Sequence, residues 1–319
     1  MNRLMKITYS VFAACGLLIL LAGTATAQDT GTLDKDKEVR QPKPYSPYVD
    51  QHFPQRVLFG DCHHHTSLSV DSGLIGNNNG PEVSFRLARG EVVTSNSGQR
   101  VKLVRPLDFL VVTDHAEYLG IAKLLNEANP ALLATDIGKE WYKAMQGDPQ
   151  EAWETVVSIQ NDFASGVPRF SNSQVARNVW DDVVDIASKS NQPGTFTALN
   201  GYEWSTISTG REGSGPQGAN LHRCVIFRDG PDRVKQILPF SAFDSGDPEK
   251  LWEFLASYEK KTGGRVMAIP HNGNISNGQM YAELIKGQAM TRDYAERRAR
   301  WEPLMEATQE KGDGETHPL

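Results

Sequence analysis

Gly60-Asp61-Cys62-His63-His64-His65-Thr66-Ser67-Leu68-Ser69-Val70-Asp71 follows directly on the apolar run Val57-Leu58-Phe59. The run predicts a buried strand, and the imidazoles crowd the point where that strand should surface. Side chains on an extended strand alternate faces, so His63 and His65 share one side and His64 takes the other. Two neutral imidazoles converging from one strand end suit zinc, manganese or iron.

Further apolar runs supply the missing ligand types. Leu107-Asp108-Phe109-Leu110-Val111-Val112 leads into Thr113-Asp114-His115, and Phe196-Thr197-Ala198-Leu199 leads into Gly201-Tyr202-Glu203-Trp204. Asn220-Leu221-His222 opens Arg223-Cys224-Val225-Ile226-Phe227, while Arg265-Val266-Met267-Ala268-Ile269 runs into Pro270-His271-Asn272. Functional side chains of α/β folds gather at the carboxyl ends of parallel strands, so separate runs can build one site. The reading is therefore α/β, with one metal centre assembled from distant segments.

These phrases resemble the polymerase-and-histidinol-phosphatase (PHP) superfamily of metal-dependent hydrolases, whose first motif is His-x-His-Thr followed by Ser-x-Asp-Gly. Here the motif is His63-His64-His65-Thr66, then Ser69-Val70-Asp71 with Ser72 before Gly73. Gly-Asp-Cys-His-His-His-Thr, Thr-Asp-His-Ala-Glu-Tyr, Gly-Tyr-Glu-Trp-Ser and Pro-His-Asn-Gly-Asn resemble a mostly exported branch, the domain of unknown function 3604 family, from about Phe59 onward. The resemblance implies a distorted (β/α)7 PHP-type barrel with two to three divalent metal ions (zinc, manganese or iron). It implies His63 and His65 on one ion, Glu203 bridging to a second completed by His222 and His271, and Asp71 with His115 on a third. Asp114 would orient an imidazole or a bound water. No Asp-x-His follows His271, where the family pattern has one, and Lys311 to Leu319 read like a mid-chain phrase. A barrel incomplete at its C-terminus is expected.

Residues 1–27 read as a cleavable secretory signal: Arg3 and Lys6, an apolar stretch from Val11 to Ala22, and Ala25-Thr26-Ala27 before the cut. The expected location is periplasmic or secreted, with no membrane contact after cleavage. Taking Arg3 and Lys6 from the 33 basic residues, against 39 acidic, moves the net charge from −6 to −8. That balance argues against a nucleic-acid partner, while the resemblance implies a small, anionic substrate. Residues 28–56 read as a polar arm and 57–319 as the hydrolase domain, large enough to bury one core. Cys62 and Cys224 are too few for a disulfide framework and are read as small packing residues beneath the site.

Helices are expected from Pro81 to Gly90, Pro130 to Met145, Pro149 to Phe163, Ser173 to Ala187, Asp247 to Lys261, Gln279 to Lys286 and Thr291 to Thr308, the last exposed. Those within about 130–190 form an insertion that serves as a lid or as packing. His52 and His317 are read as surface residues, Glu117 as a helix N-terminal charge, and Asn220, Asn272 and Asn274 as turn residues. The expected chemistry is hydrolysis by a metal-activated water, of a phosphoester as the resemblance implies or of an ester or amide. Asp114 or His115 would accept the proton, although His115 cannot be a free base while it holds metal. Arg211 and Arg223 would clamp the anion, with surface ion pairs as their other use. The competing expectation is a metal-binding but catalytically inactive protein, or a fragment of a longer hydrolase.

Overall fold

The computed structural model describes residues 56–207 and 218–314. The signal segment, nearly all of the N-terminal arm, His52, Arg211 and His317 lie outside the described residues. Among those described, ten helices surround a curled, half-barrel sheet of five strands in a mixed α/β arrangement. The strands are β1 (Gly60–Asp61), β2 (Phe109–Val111), β3 (Thr197–Trp204), β4 (Arg223–Phe227) and β5 (Val266–Pro270), and they lie side by side in that order.

Pairing is parallel between β1 and β2 and between β2 and β3, then antiparallel from β3 to β4 and from β4 to β5. This corrects the expectation of parallel strands throughout. It also explains why His222 precedes its apolar run while the other candidate residues follow theirs: β4 runs the opposite way, so its beginning lies at the end of the sheet where β3 and β5 finish. Opposite Glu203 stands Cys224, and opposite Cys224 stands Ile269. Gly201 makes the join to β2 possible, since a Cβ there would stand 2.5 Å from Val111 Cγ1.

Several helices carry their boundaries in the sequence. Asp148 caps α3 (Pro149–Ser165) and Asp247 caps α5 (Pro248–Thr262); each is followed by a proline at the first turn, and each helix ends at a left-handed glycine, Gly166 or Gly263. α1 (Pro81–Ala88) and α4 (Ser173–Ser190) fall close to their expected spans. The stretch from Pro130 splits: a single turn, Pro130–Leu133, precedes α2 (Asp136–Met145), which begins where the Thr135 hydroxyl accepts from Gly138 N at 3.1 Å.

Three expectations fail for identifiable reasons. Val57, Leu58 and Phe59 are 71, 45 and 50% exposed and precede the strand, which pairs only from Gly60. In place of a helix over Gln279 to Lys286, Leu284–Ile285 pairs with Gln288–Ala289 as a hairpin. Lys286 and Gly287 both take positive φ, the geometry of a tight two-residue hairpin turn. The last helix, α6 (Arg292–Trp301), stops early because Pro303 disfavours helical backbone at Glu302.

The principal core lies behind the sheet. Trp180, Val183 and Val184 of α4 and Leu251, Trp252, Leu255 and Tyr258 of α5 pack on Tyr202, Trp204, Val225, Phe227 and Ala268. A second core holds the insertion together through Trp141, Val156, Ile159 and Phe163.

Candidate metal centre

Five imidazoles close into a ring around one buried carboxylate. Centroid separations run 5.2 Å from His63 to His65, 4.7 Å from His65 to His115, 5.8 Å from His115 to His222, 5.7 Å from His222 to His271 and 4.0 Å from His271 back to His63. Glu203 occupies the middle. Its Oε2 lies 2.7 Å from His65 Nε2 and 3.3 Å from His63 Nε2. Its Oε1 lies 2.7 Å from His222 Nδ1, 3.1 Å from His271 Nε2 and 3.6 Å from His115 Nδ1, and accepts from Ser205 Oγ at 3.1 Å.

Local structure aims each ring. His63 and His65 face the centre, and His64 turns to the other side, where Nε2 meets Ser84 Oγ at 2.8 Å. His115 sits at a bridge to Glu203 beyond β2, with Nδ1 against Ser205 Oγ and the ring edge against Phe163 of α3. His271 lies just past the end of β5, and Asn272 follows it in left-handed backbone, a conformation asparagine tolerates; Asn272 Nδ2 donates to Asn220 Oδ1 at 3.1 Å. Asn220 itself lies at an antiparallel bridge to Ile207.

Carboxylates behind the rings hold them. Asp71, the most open of the group with its side chain 42% exposed, places Oδ1 2.9 Å from His65 Nδ1 and Oδ2 3.4 Å from His115 Nε2, and accepts from Ser69 Oγ at 2.6 Å. Glu306, which the sequence did not single out, sets Oε2 2.6 Å from His63 Nδ1. A carboxylate on the far nitrogen of an imidazole fixes ring orientation and tautomer.

Charge is strongly coupled here. Burial opposes ionisation of Glu203, yet His115, His271, His65 and His222 hold it well below the usual carboxylate range. Burial likewise opposes ionisation of Asp71, and contacts with His115 and His65 depress it far more. For His63, burial favours the neutral ring, but Glu203 and Glu306 raise it to about 9. His65 and His115 are also raised against burial, by Glu203 and Asp71. His222 falls to about 4 and His271 also falls, because burial wins at both.

Other expected residues stand differently. Asp114 is buried and pushed up to about 6 by burial, and both its oxygens are taken by Thr66, through the backbone N–H and through Oγ1 at 2.7 Å. Through Thr66 it anchors the histidine segment. Arg223 alternates to the opposite face of β4 from His222 and Cys224; its Nε donates to Glu302 Oε1 at 3.0 Å in a buried pair, and its guanidinium lies over Trp204. That placement removes it as an anion clamp. Glu117 is fully buried, not an exposed helix charge: its Oε1 accepts from Ala242 N at 2.6 Å and from Ser205 N at 3.3 Å, and burial lifts its pKa to about 7.

Two donor groups share Glu203: His63, Glu203, Cys224 and His271, and His65, His115 and Glu203, each with donor atoms mutually within 4.8 Å. Either could hold a metal ion. His222 adds a buried Nε2 that has no hydrogen-bond partner, an atom whose burial is costly unless something takes its lone pair or proton. The donor set therefore fits divalent ions of the zinc, manganese or iron kind. No helix among the described residues is long and apolar enough to cross a membrane.

The family described as "Protein of unknown function (DUF3604)" matches residues 52–319. Searches of curated proteins and of solved structures give no match.

Proposed function

The chain belongs to the DUF3604 family, and on that premise we propose that it is an exported metal-dependent hydrolase of the PHP type, acting on small anionic phosphoesters. The observation that carries the reading is Glu203, one buried carboxylate with each oxygen turned to a different set of imidazoles. His63, Glu203 and His271 would hold one divalent ion and His65, His115 and Glu203 another, with His222 as a further donor. Such ions supply positive charge beside a water and a phosphoryl oxygen, which lowers the water's pKa toward neutrality and offsets charge developing on the oxygen.

The chain's own residues do the positioning. Glu306 and Asp71 hold the outer nitrogens of His63 and His65, keeping the inner ones on the centre. Asp114 ties the segment that carries them through Thr66. Phe163 and the insertion core cover His115 and keep solvent from that side, whereas Asp71 lies on the open side from which a substrate would enter. Closure toward a seven-stranded barrel, the secretory signal ending at Ala27 and an anion clamp at Arg211 belong to the same proposal.

The test is metal content by plasma mass spectrometry on the purified chain, paired with hydrolysis of an aryl phosphate, for wild type and Glu203→Ala. Two or more ions per chain, with turnover lost in the variant, is the expected result. Metal without turnover would favour a binding-only protein, and no metal would sink the assignment.

A further inference from the structure

We infer that Cys224 is a metal ligand, a thiolate that makes the His63–Glu203–His271 position select a zinc-like ion over manganese. The inference rests on the metal-centre reading above and goes beyond it, since it makes the two positions chemically unequal. Cys224 stands opposite Glu203 in the β3–β4 register and so faces the same side of the sheet. It is buried, with Sγ 3.7 Å from His271 Nδ1, and one donor atom from each of His63, Glu203, Cys224 and His271 lies within 4.8 Å of the others.

A cysteine that merely fills space is surrounded by apolar groups. Cys224 has the His271 imidazole and the Glu203 carboxylate beside it. On metal uptake the S–H bond breaks, the proton leaves to solvent and the sulfur lone pair goes to the ion; no electron is exchanged. Thiolate favours zinc, cobalt and cadmium over manganese and magnesium. The His65–His115–Glu203 group has only nitrogen and oxygen donors and carries no such bias.

The experiment uses the full chain with Cys15→Ser and Cys62→Ser, which leaves Cys224 as its sole thiol. The protein is stripped with a chelator, loaded with cobalt(II) and followed by absorption and by bound cobalt. A thiolate-to-cobalt charge-transfer band in the near ultraviolet is expected. It should vanish on adding Cys224→Ser while bound cobalt persists, and the preference for zinc over manganese should fall by on the order of tenfold or more. Bound cobalt without the band overturns the inference and leaves the metal centre standing; absence of bound cobalt overturns both. Should Cys224→Ser fail to fold, the spectrum of the Cys224-containing chain already decides.

Discussion

The two faces of β3, β4 and β5 are buried to a similar depth and built from opposite materials. Behind the sheet, Tyr202, Trp204, Val225 and Phe227 meet the aromatic and aliphatic side chains of α4 and α5. In front, alternating with them along the same strands, are Glu203, His222, Cys224 and His271. Apolar burial stabilises by roughly 25 cal/mol per Å², whereas an ionised group taken from water is costly unless partnered. The front face is thus held in place by the back face, and a change on either should read out differently.

The sharpest separation should come from Phe227→Ala, at the end of β4 remote from His222. Phe227 is fully buried among Trp180, Tyr202 and Tyr258. Its loss should destabilise by ~3–5 kcal/mol in denaturant unfolding, with metal bound per folded molecule unchanged. Loss of metal at full folding would mean that the faces are not independent.

Glu302→Gln probes a buried charge cluster behind the sheet. Glu302 Oε1 accepts from Arg223 Nε and from Trp252 Nε1 at 2.8 Å, and Oε2 accepts from Arg298 Nε at 3.0 Å. Burial opposes ionisation of Glu302, but Arg223 and Arg298 hold its pKa below the ordinary value. A carboxylate depressed on folding contributes stability above its unfolded pKa of about 4.3, and that contribution disappears as pH falls through the folded value. The variant should lose about 3 kcal/mol at pH 7, and its deficit relative to wild type should shrink on acidification below about pH 4.3. A deficit that is constant with pH would show that the charge contributes nothing.

Glu306→Gln should have the smallest effect, confined to the front. Weakening the hold on His63 should lower metal affinity about 10–100-fold in competition with a chelator, with little change in unfolding midpoint. Unchanged affinity would make Glu306 a bystander.

The ligand types were legible because each lies beside an apolar run, and residue spacing turned His63 and His65 together. Even β4's reversed direction left a trace, with its histidine ahead of the run. Glu306 left none: it follows Pro303 outside regular structure and reaches His63 through a backbone tie from Glu306 N to Pro270 O. Charge density misled at α6, where Glu302 looks like one more exposed acid until its cationic partners are seen. Arg223, adjacent to a ligand in sequence, was read toward the site although strand alternation turns it away.

That alternation also bears on how the site can evolve. A point substitution at Cys224 alters one donor and leaves the other imidazoles and Glu203 in place. A one-residue deletion within β4 would instead carry Arg223 across to Glu203 and withdraw an imidazole and a thiol together, replacing the candidate donor cluster with an internal ion pair. On the proposed reading, point substitutions can therefore retune the donor set by small steps, while insertions and deletions in this strand are all-or-none events.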